Sequence, residues 1–326
     1  MATYQVFHAD CFNWLAGCAD STLEAVCTDP PYGLIEFTAQ ELAKLRRGKG
    51  GIWRLPPTIG GSIRAPLPRF TVLSAGDKIK LQEFAFVLGV SLYPKLCPGA
   101  HVVMAGNPSL QYLVQAGMAE AGYEVRGNFI RLYRGFRGGD RPKLAEKEYP
   151  DVCVTPRGNY EPWMLFRKPI SEKTVAENLR RWKTGGLRRI TESQPMPDVI
   201  ESSKTPLKET NISSHPTMKP QHFLRIIVRS LLPLGEGTIL DPFAGSGSTI
   251  AAAMAVGYNS IGIEIDEEYY SSIDRNICKL IKLYPDMDGT ALHHNYKIED
   301  SHPVETRESL LTYGLRHQNV PRIGMA

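Results

Sequence analysis

The sequence predicts an α/β protein built on a largely parallel sheet. Three observations carry that prediction: short apolar runs that stop at turn or acidic residues, helical apolar stripes between the later runs, and a glycine turn leading from one run into an Ala-rich segment. The strand candidates are residues 24–29, 101–105, 238–241 and 260–264. Residues 128–133 and 162–166 are apolar-rich and are expected to pair antiparallel at one edge. Residues 221–232 place Phe223, Leu224, Ile227, Val228 and Leu231 on one face directly after Pro220, which suits a helix start. Residues 248–256 form the Ala-rich helix behind the glycine turn, and 267–283 keep an apolar stripe with charges opposite. Two stretches resist the scheme. Residues 38–75 are crowded with Gly, Pro and Arg and read as a mobile insertion, while 169–214 are polar with basic clusters. The stretch after Pro285 shows little apolar pattern and is assigned no role.

At 326 residues, 42% hydrophobic and 22% charged, the chain can bury one large core with room for a small appended region. Its apolar runs are strand-sized and its first residues lack a basic-then-apolar leader pattern. Those features predict a cytoplasmic protein and argue against membrane and secreted classes. The six cysteines form no CxxC pair and no zinc spacing with histidine, so reduced thiols and no metal are expected. The net charge of +4 is segregated. Residues 38–80 carry nine Lys/Arg against two acids, and 126–189 carry sixteen against seven, which leaves the remainder acidic. Clustered positive charge attracts phosphate backbones, although two solvated loops would look the same.

Two stretches carry chemistry. In Leu240-Asp-Pro-Phe-Ala-Gly-Ser-Gly-Ser-Thr249 an apolar strand runs into Asp241, a glycine turn and a helix. Gly245 and Gly247 let a ligand approach the backbone, and the helix start offers unpaired amides. A phosphate loop would end in Gly-Lys-Ser/Thr, and Lys is absent. Glu264 closes the next strand about 20 residues on, where an acid can accept from ribose hydroxyls. The pattern suits a nucleoside-bearing cofactor better than a nucleotide triphosphate. The second stretch is Thr28-Asp-Pro-Pro-Tyr-Gly33. Two prolines hold the backbone extended and remove two donors, leaving the Pro30 carbonyl to accept from a ligand. Asp29 adds a carboxylate and Tyr32 a flat face, a combination that matches an amino group on a planar base. A rigid loop with a capping Asp is the alternative.

Together, Asp29-Pro-Pro-Tyr32 and Asp241-Pro-Phe-Ala-Gly-Ser-Gly247 resemble the amino-group DNA methyltransferases, which methylate adenine N6 or cytosine N4. His215-Pro-Thr-Met-Lys-Pro220 and His8-Ala-Asp-Cys-Phe-Asn-Trp-Leu15 are similar to further family segments. The transfer tetrapeptide precedes the glycine motif, as in the family's β group. A C5-cytosine enzyme would need a cysteine after a proline, and the only adjacent pair here is Cys97-Pro98, in the reverse order.

The resemblance implies a circularly permuted seven-stranded Rossmann-like S-adenosylmethionine-dependent methyltransferase sheet with a small target-recognition insertion. Residues 1–168 and 215–284 would form the catalytic domain, 38–80 an inserted basic loop, 169–214 the recognition region and 285–326 a tail. It implies S-adenosylmethionine as cofactor and double-stranded DNA as partner, with a homodimer common in the group. Asp29, Pro30, Pro31 and Tyr32 would serve catalysis, the first two receiving the amino hydrogens and Tyr32 stacking on an extruded base. Asp10 would meet the cofactor's adenine amino group, unless it only shapes a turn. Glu264 would meet the ribose, and Asp241, Pro242, Phe243, Gly245 and Gly247 would form the methionine-side loop. Lys219 and Thr217 would lie near the cofactor carboxylate, with His215 a helix-entry residue. DNA contacts would come from Arg46, Arg47 and Lys49 in the insertion and from Arg180, Arg181, Arg188 and Arg189, within regions 135–160 and 169–214. Adenine N6 is favoured over cytosine N4 because an Asp opens the tetrapeptide.

Overall fold

Alternation of side chains across strands decides the architecture. On β2 (Leu23–Thr28), Val26 packs into one core while Ala25 and Cys27 enter another. On β5 (Leu96–Ala105), Val102 and Met104 oppose Val103 and Ala105, and on β7 (Tyr160–Arg167) Met164 and Phe166 oppose Trp163 and Leu165. Strands apolar on both faces must be covered on both faces. One layer comes from α1 (Cys11–Gly17), α2 (Ala75–Leu92) and α3 (Gln111–Glu120). The other contains α6 (Gln221–Leu231) and α7 (Ser248–Ala255), with α8 (Glu267–Leu283) packed on α7. The computed structural model describes residues 2–30, 58–59, 62–63, 75–133, 139, 141–142, 144–213, 215 and 218–290. All of these belong to one compact unit, Met1–Leu292.

The remaining strands are β1 (Tyr4–His8), the short hairpin β3 (Thr58–Ile59) and β4 (Ser62–Ile63), β6 (Glu124–Leu132), β8 (Val199–Glu201), β9 (Thr238–Asp241) and β10 (Asn259–Glu264). The main sheet runs β1-β10-β9-β2-β5-β7-β6-β8. Its first five strands are parallel, β7 is antiparallel to both neighbours, and β8 joins β6 in parallel. The carboxyl ends of β1, β10, β9, β2 and β5 therefore open on one edge of the sheet, together with the end of β6 and the start of β7.

Three expectations change. The sheet has eight strands rather than seven, because the three-residue β8 adds to the edge; its single buried residue, Ile200, is too short a pattern to read. The β6–β7 pair is antiparallel as expected but lies inside the sheet, since β7 sits between β5 and β6. Residues 75–80, assigned to the basic insertion, are the first turns of α2; what remains of that insertion lies outside the described residues apart from the β3–β4 hairpin.

Region 169–214 divides. On α4 (Val175–Trp182) Asn178 donates to the Pro98 carbonyl at 2.9 Å, and Lys183 pairs with Glu236 at 2.7 Å. Arg188 donates to the Tyr258 hydroxyl at 2.8 Å. Pro98 opens β5, and Glu236 and Tyr258 precede β9 and β10, so residues 171–190 sit at the amino ends of the strands. From residue 194 the chain crosses to β8 and reaches the carboxyl edge through α5 (Leu207–Thr210).

Candidate active site

The carboxyl edge holds a cavity of about 490 Å³. Its walls include Asp29 and Pro30 from the end of β2, Asp10 after β1, Lys219 ahead of α6, and Asp241, Pro242, Phe243, Gly245 and Glu264 around the β9–α7 turn and the end of β10. Two motifs more than 200 residues apart thus share one space, because β2 and β9 are hydrogen-bonded neighbours. Phe12, Phe84 and Phe243 give it an aromatic wall, with Phe84–Phe243 centroids 6.0 Å apart.

The glycine turn is fixed by acids. Glu264, 8% exposed, accepts from the Gly245 amide at 2.6 Å through one oxygen and from the Asp266 amide at 2.8 Å through the other. Asp241 accepts from the Thr28 hydroxyl at 2.7 Å and the Phe243 amide at 3.1 Å, which ties the turn to β2. Burial pushes the Asp241 carboxyl up to about 6 against these hydrogen bonds. Gly245 has φ +51°, and a Cβ there would stand 2.8 Å from His215 Nε2. His215 lies against the turn and edge-on to Tyr269, and its imidazole is pulled below its ordinary value chiefly by burial. Gly247 lies off the cavity; with φ +80° it turns into α7, and a Cβ would approach Ile277 of α8 at 2.7 Å. Asp10 caps α1, its Oδ1 accepting from the Phe12 and Asn13 amides at 3.0 Å each, while the residue still lines the cavity.

The Asp29 side is held by charge. Lys219 Nζ donates to Asp29 Oδ2 and lies 3.5 Å from Glu161 Oε1. Arg131 donates to Glu161 Oε2 at 3.0 Å, and the Trp163 indole donates to the same oxygen at 3.2 Å. Burial alone would pull Lys219 down, but Asp29 and Glu161 outweigh it and hold the ammonium above its ordinary value. Glu161, pushed up by burial, ends below its ordinary value through Lys219 and Arg131. The sequence reading set Lys219 near the cofactor carboxylate; the structure directs its ammonium to Asp29. Glu161 and Arg131 are not among the sequence candidates; each is a charge within a strand that carries other charged residues as well, which does not mark it out.

Arg180, Arg181, Arg188 and Arg189 are not at this edge. Arg181 pairs with Glu172 at 2.8 Å, Arg188 packs on Gly235, and Arg189 donates to the Glu192 and Ser193 carbonyls. The segment carrying them meets β5 at Pro98, about 20 Å by strand rise from the end of that strand. Pro31, Tyr32, Arg46, Arg47, Lys49 and Thr217 lie outside the described residues. Among the described residues no cluster of His, Cys, Asp or Glu could hold a metal ion, and no helix is long and apolar enough to cross a membrane.

Residues 134–275 match the N6/N4 DNA methylase family model. The chain is 36% identical over 268 residues to the type II methyltransferase M2.DpnII of Streptococcus pneumoniae, covering 80% of this chain and 85% of that protein. It is 48% identical over 123 residues to the DNA adenine methyltransferase YhdJ of Escherichia coli (strain K12), 34% of this chain and 42% of that one. Its fold resembles the cytosine-N4-specific PvuII DNA methyltransferase, with TM-score 0.55 at 12% identity over 88% of this chain and 94% of that one. It also resembles M1.HpyAVI, solved as its SAM complex, with TM-score 0.51 at 17% identity over 84% and 99%. With Asp29-Pro30 and the glycine turn on one cavity and a relative matched along most of its length, the chain belongs to the N6/N4 amino-group DNA methylase family and is a DNA amino-methyltransferase.

Proposed function

We propose that the chain methylates adenine N6 in a specific double-stranded DNA sequence, using S-adenosylmethionine, on a circularly permuted Rossmann-like sheet. The observation that carries this reading is the shared cavity of Asp29-Pro30 and Gly245-Glu264. The residues present fit the cofactor. A space of about 490 Å³ lies within the range of small-molecule sites, and the three rings suit a planar apolar group. Each Glu264 oxygen takes one amide and keeps a second lone pair, so Glu264 can accept a ribose hydroxyl without releasing the turn. Asp10, which spends Oδ1 on its helix cap, can accept the adenine amino group. The bound cofactor supplies an electrophilic sulfonium methyl.

The protein's own work is positioning and electrostatics. A base amino nitrogen is a poor nucleophile while its lone pair is delocalised into the ring. Asp29 and the Pro30 carbonyl accept its two hydrogens, which favours a tetrahedral nitrogen and turns the lone pair toward the methyl. Lys219 orients the Asp29 carboxylate, and no strong base is needed before transfer. The base reaches this depth only when extruded from the duplex, with Tyr32 as its stacking face. The β6–β7 connection and the strap after β8 leave the sheet at the same edge, which supports them, rather than residues 171–190, as the surface that meets DNA. The lean to adenine is supported by the Asp that opens the tetrapeptide and by the specificity in YhdJ's name.

Methylated DNA is digested to nucleosides and the products are resolved by mass. N6-methyladenine is the expected product, and N4-methylcytosine alone would overturn the adenine assignment.

A further inference from the structure

Asp29, Lys219, Glu161 and Arg131 form a row of alternating charge along the carboxyl edge, from the end of β2 across to β7 and β6. Its inner members are almost out of water: Lys219 is 9% exposed, Glu161 7% and Arg131 4%. Arg131 is anchored in turn to the strap after β8, donating to Ser202 Oγ at 3.0 Å and the Ser203 carbonyl at 2.8 Å. With all four members ionised the row sums to zero charge. Removing one member of such a row strands a buried charge, which is far more damaging than removing a neutral pair.

Resting on the reading of Asp29 as acceptor for the target amino group, we propose that Glu161 is a positioning residue for methyl transfer. From β7 it holds Lys219 against Asp29, so that the carboxylate is fixed on the cavity wall, while Arg131 supplies the balancing charge. The groups acting on Lys219 are Asp29 after β2, Glu161 on β7, Arg131 on β6 and His215 on its own segment. Without Glu161, burial and the Arg131 charge both work against the ammonium, and only Asp29 works for it. Lys219 then loses its proton at lower pH, and Asp29 loses its anchor.

The test is single-turnover methyl transfer by the full chain at saturating S-adenosylmethionine, followed from neutral to alkaline pH. E161Q keeps an acceptor for Trp163 and Arg131 but removes the charge. It is expected to slow transfer about 10- to 100-fold, the scale of a misplaced reacting group. Its alkaline limb should move down by about one pH unit or more, with cofactor affinity unchanged. The double variant R131Q/E161Q restores neutrality and should recover part of the limb shift and of the rate, because Arg131 opposes the ammonium less than Glu161 supports it, whereas a packing role predicts a double worse than the single. A wild-type rate and limb in E161Q, or a double no better than the single, would overturn the proposal. Should E161Q fail to fold, E161D bears the test: the charge drawn back by one methylene shifts the limb the same way by less, and an unmoved limb refutes the role. Asp29→Ala run in parallel separates the two readings. Retained transfer there removes the acceptor reading itself, while a dead Asp29→Ala beside a normal E161Q removes only the role of Glu161.

Discussion

The two sides of the cavity hold their carboxylates by different means. On the glycine side Glu264, Asp241 and Asp10 are satisfied by backbone amides and a threonine hydroxyl. On the other side Asp29 and Glu161 are met chiefly by Lys219 and Arg131, with the Trp163 indole as a neutral donor to Glu161. Neutral donors fix the shape of a turn and leave the acid able to accept again from a ligand. Cations instead settle whether an acid is ionised and make each member answerable to the next. The first side is built to be occupied, and the second is built to stay charged.

The largest expected effect on cofactor binding tests the first side. Glu264→Ala removes the acceptor of both the Gly245 and Asp266 amides as well as the proposed ribose acceptor. Losing hydrogen bonds to a charged group at this depth costs about 2–3 kcal/mol, or about 30- to 150-fold in cofactor affinity by calorimetry. Affinity within about threefold of wild type would erase the contrast.

Asp241 gives an effect on stability with a defined sign. Its folded value of about 6 lies above the unfolded one of about 3.9. The folded state therefore binds more protons between those values, and the Asp241 contribution to stability falls as pH rises from about 4 to about 6. Asp241→Asn keeps an oxygen for Thr28 and Phe243 and removes that loss. Denaturant unfolding should show it more stable than wild type at neutral pH by about 2–3 kcal/mol, with the difference vanishing near pH 4. A constant difference across that range would place the burial cost elsewhere. The smallest effect belongs to Arg180→Ala with Arg181→Ala: at the amino ends of the strands, their loss should change the DNA KM by less than about twofold at fixed salt.

Four strands of the parallel half, β2, β5, β9 and β10, were legible because each is an apolar run closed by an acid or a turn, whereas β1 has no fully buried residue and was not; the glycine turn was legible because glycine suits the positive φ at Gly245 and Gly247. The short β8 carries one buried residue and gives no period to read. The charge row was hidden for a different reason. Arg131 and Glu161 stand 30 residues apart on strands that the fold sets side by side, and Lys219 joins them only through the segment leading into α6. Arginine clusters in a sequence report charge without reporting which end of the sheet will carry it. That is why Arg180 and Arg188 read as DNA contacts although the fold places them at the amino ends of the strands.

The central claim is that the two sides meet: a base held at Asp29 faces a cofactor held by the glycine turn. Asp29→Ala, measured for labelled methyl transfer in a single turnover and for cofactor binding at equilibrium, tests it directly. Transfer should fall about 1000-fold while cofactor affinity stays within about threefold. Transfer within tenfold of wild type, or a parallel loss of cofactor binding, would contradict it.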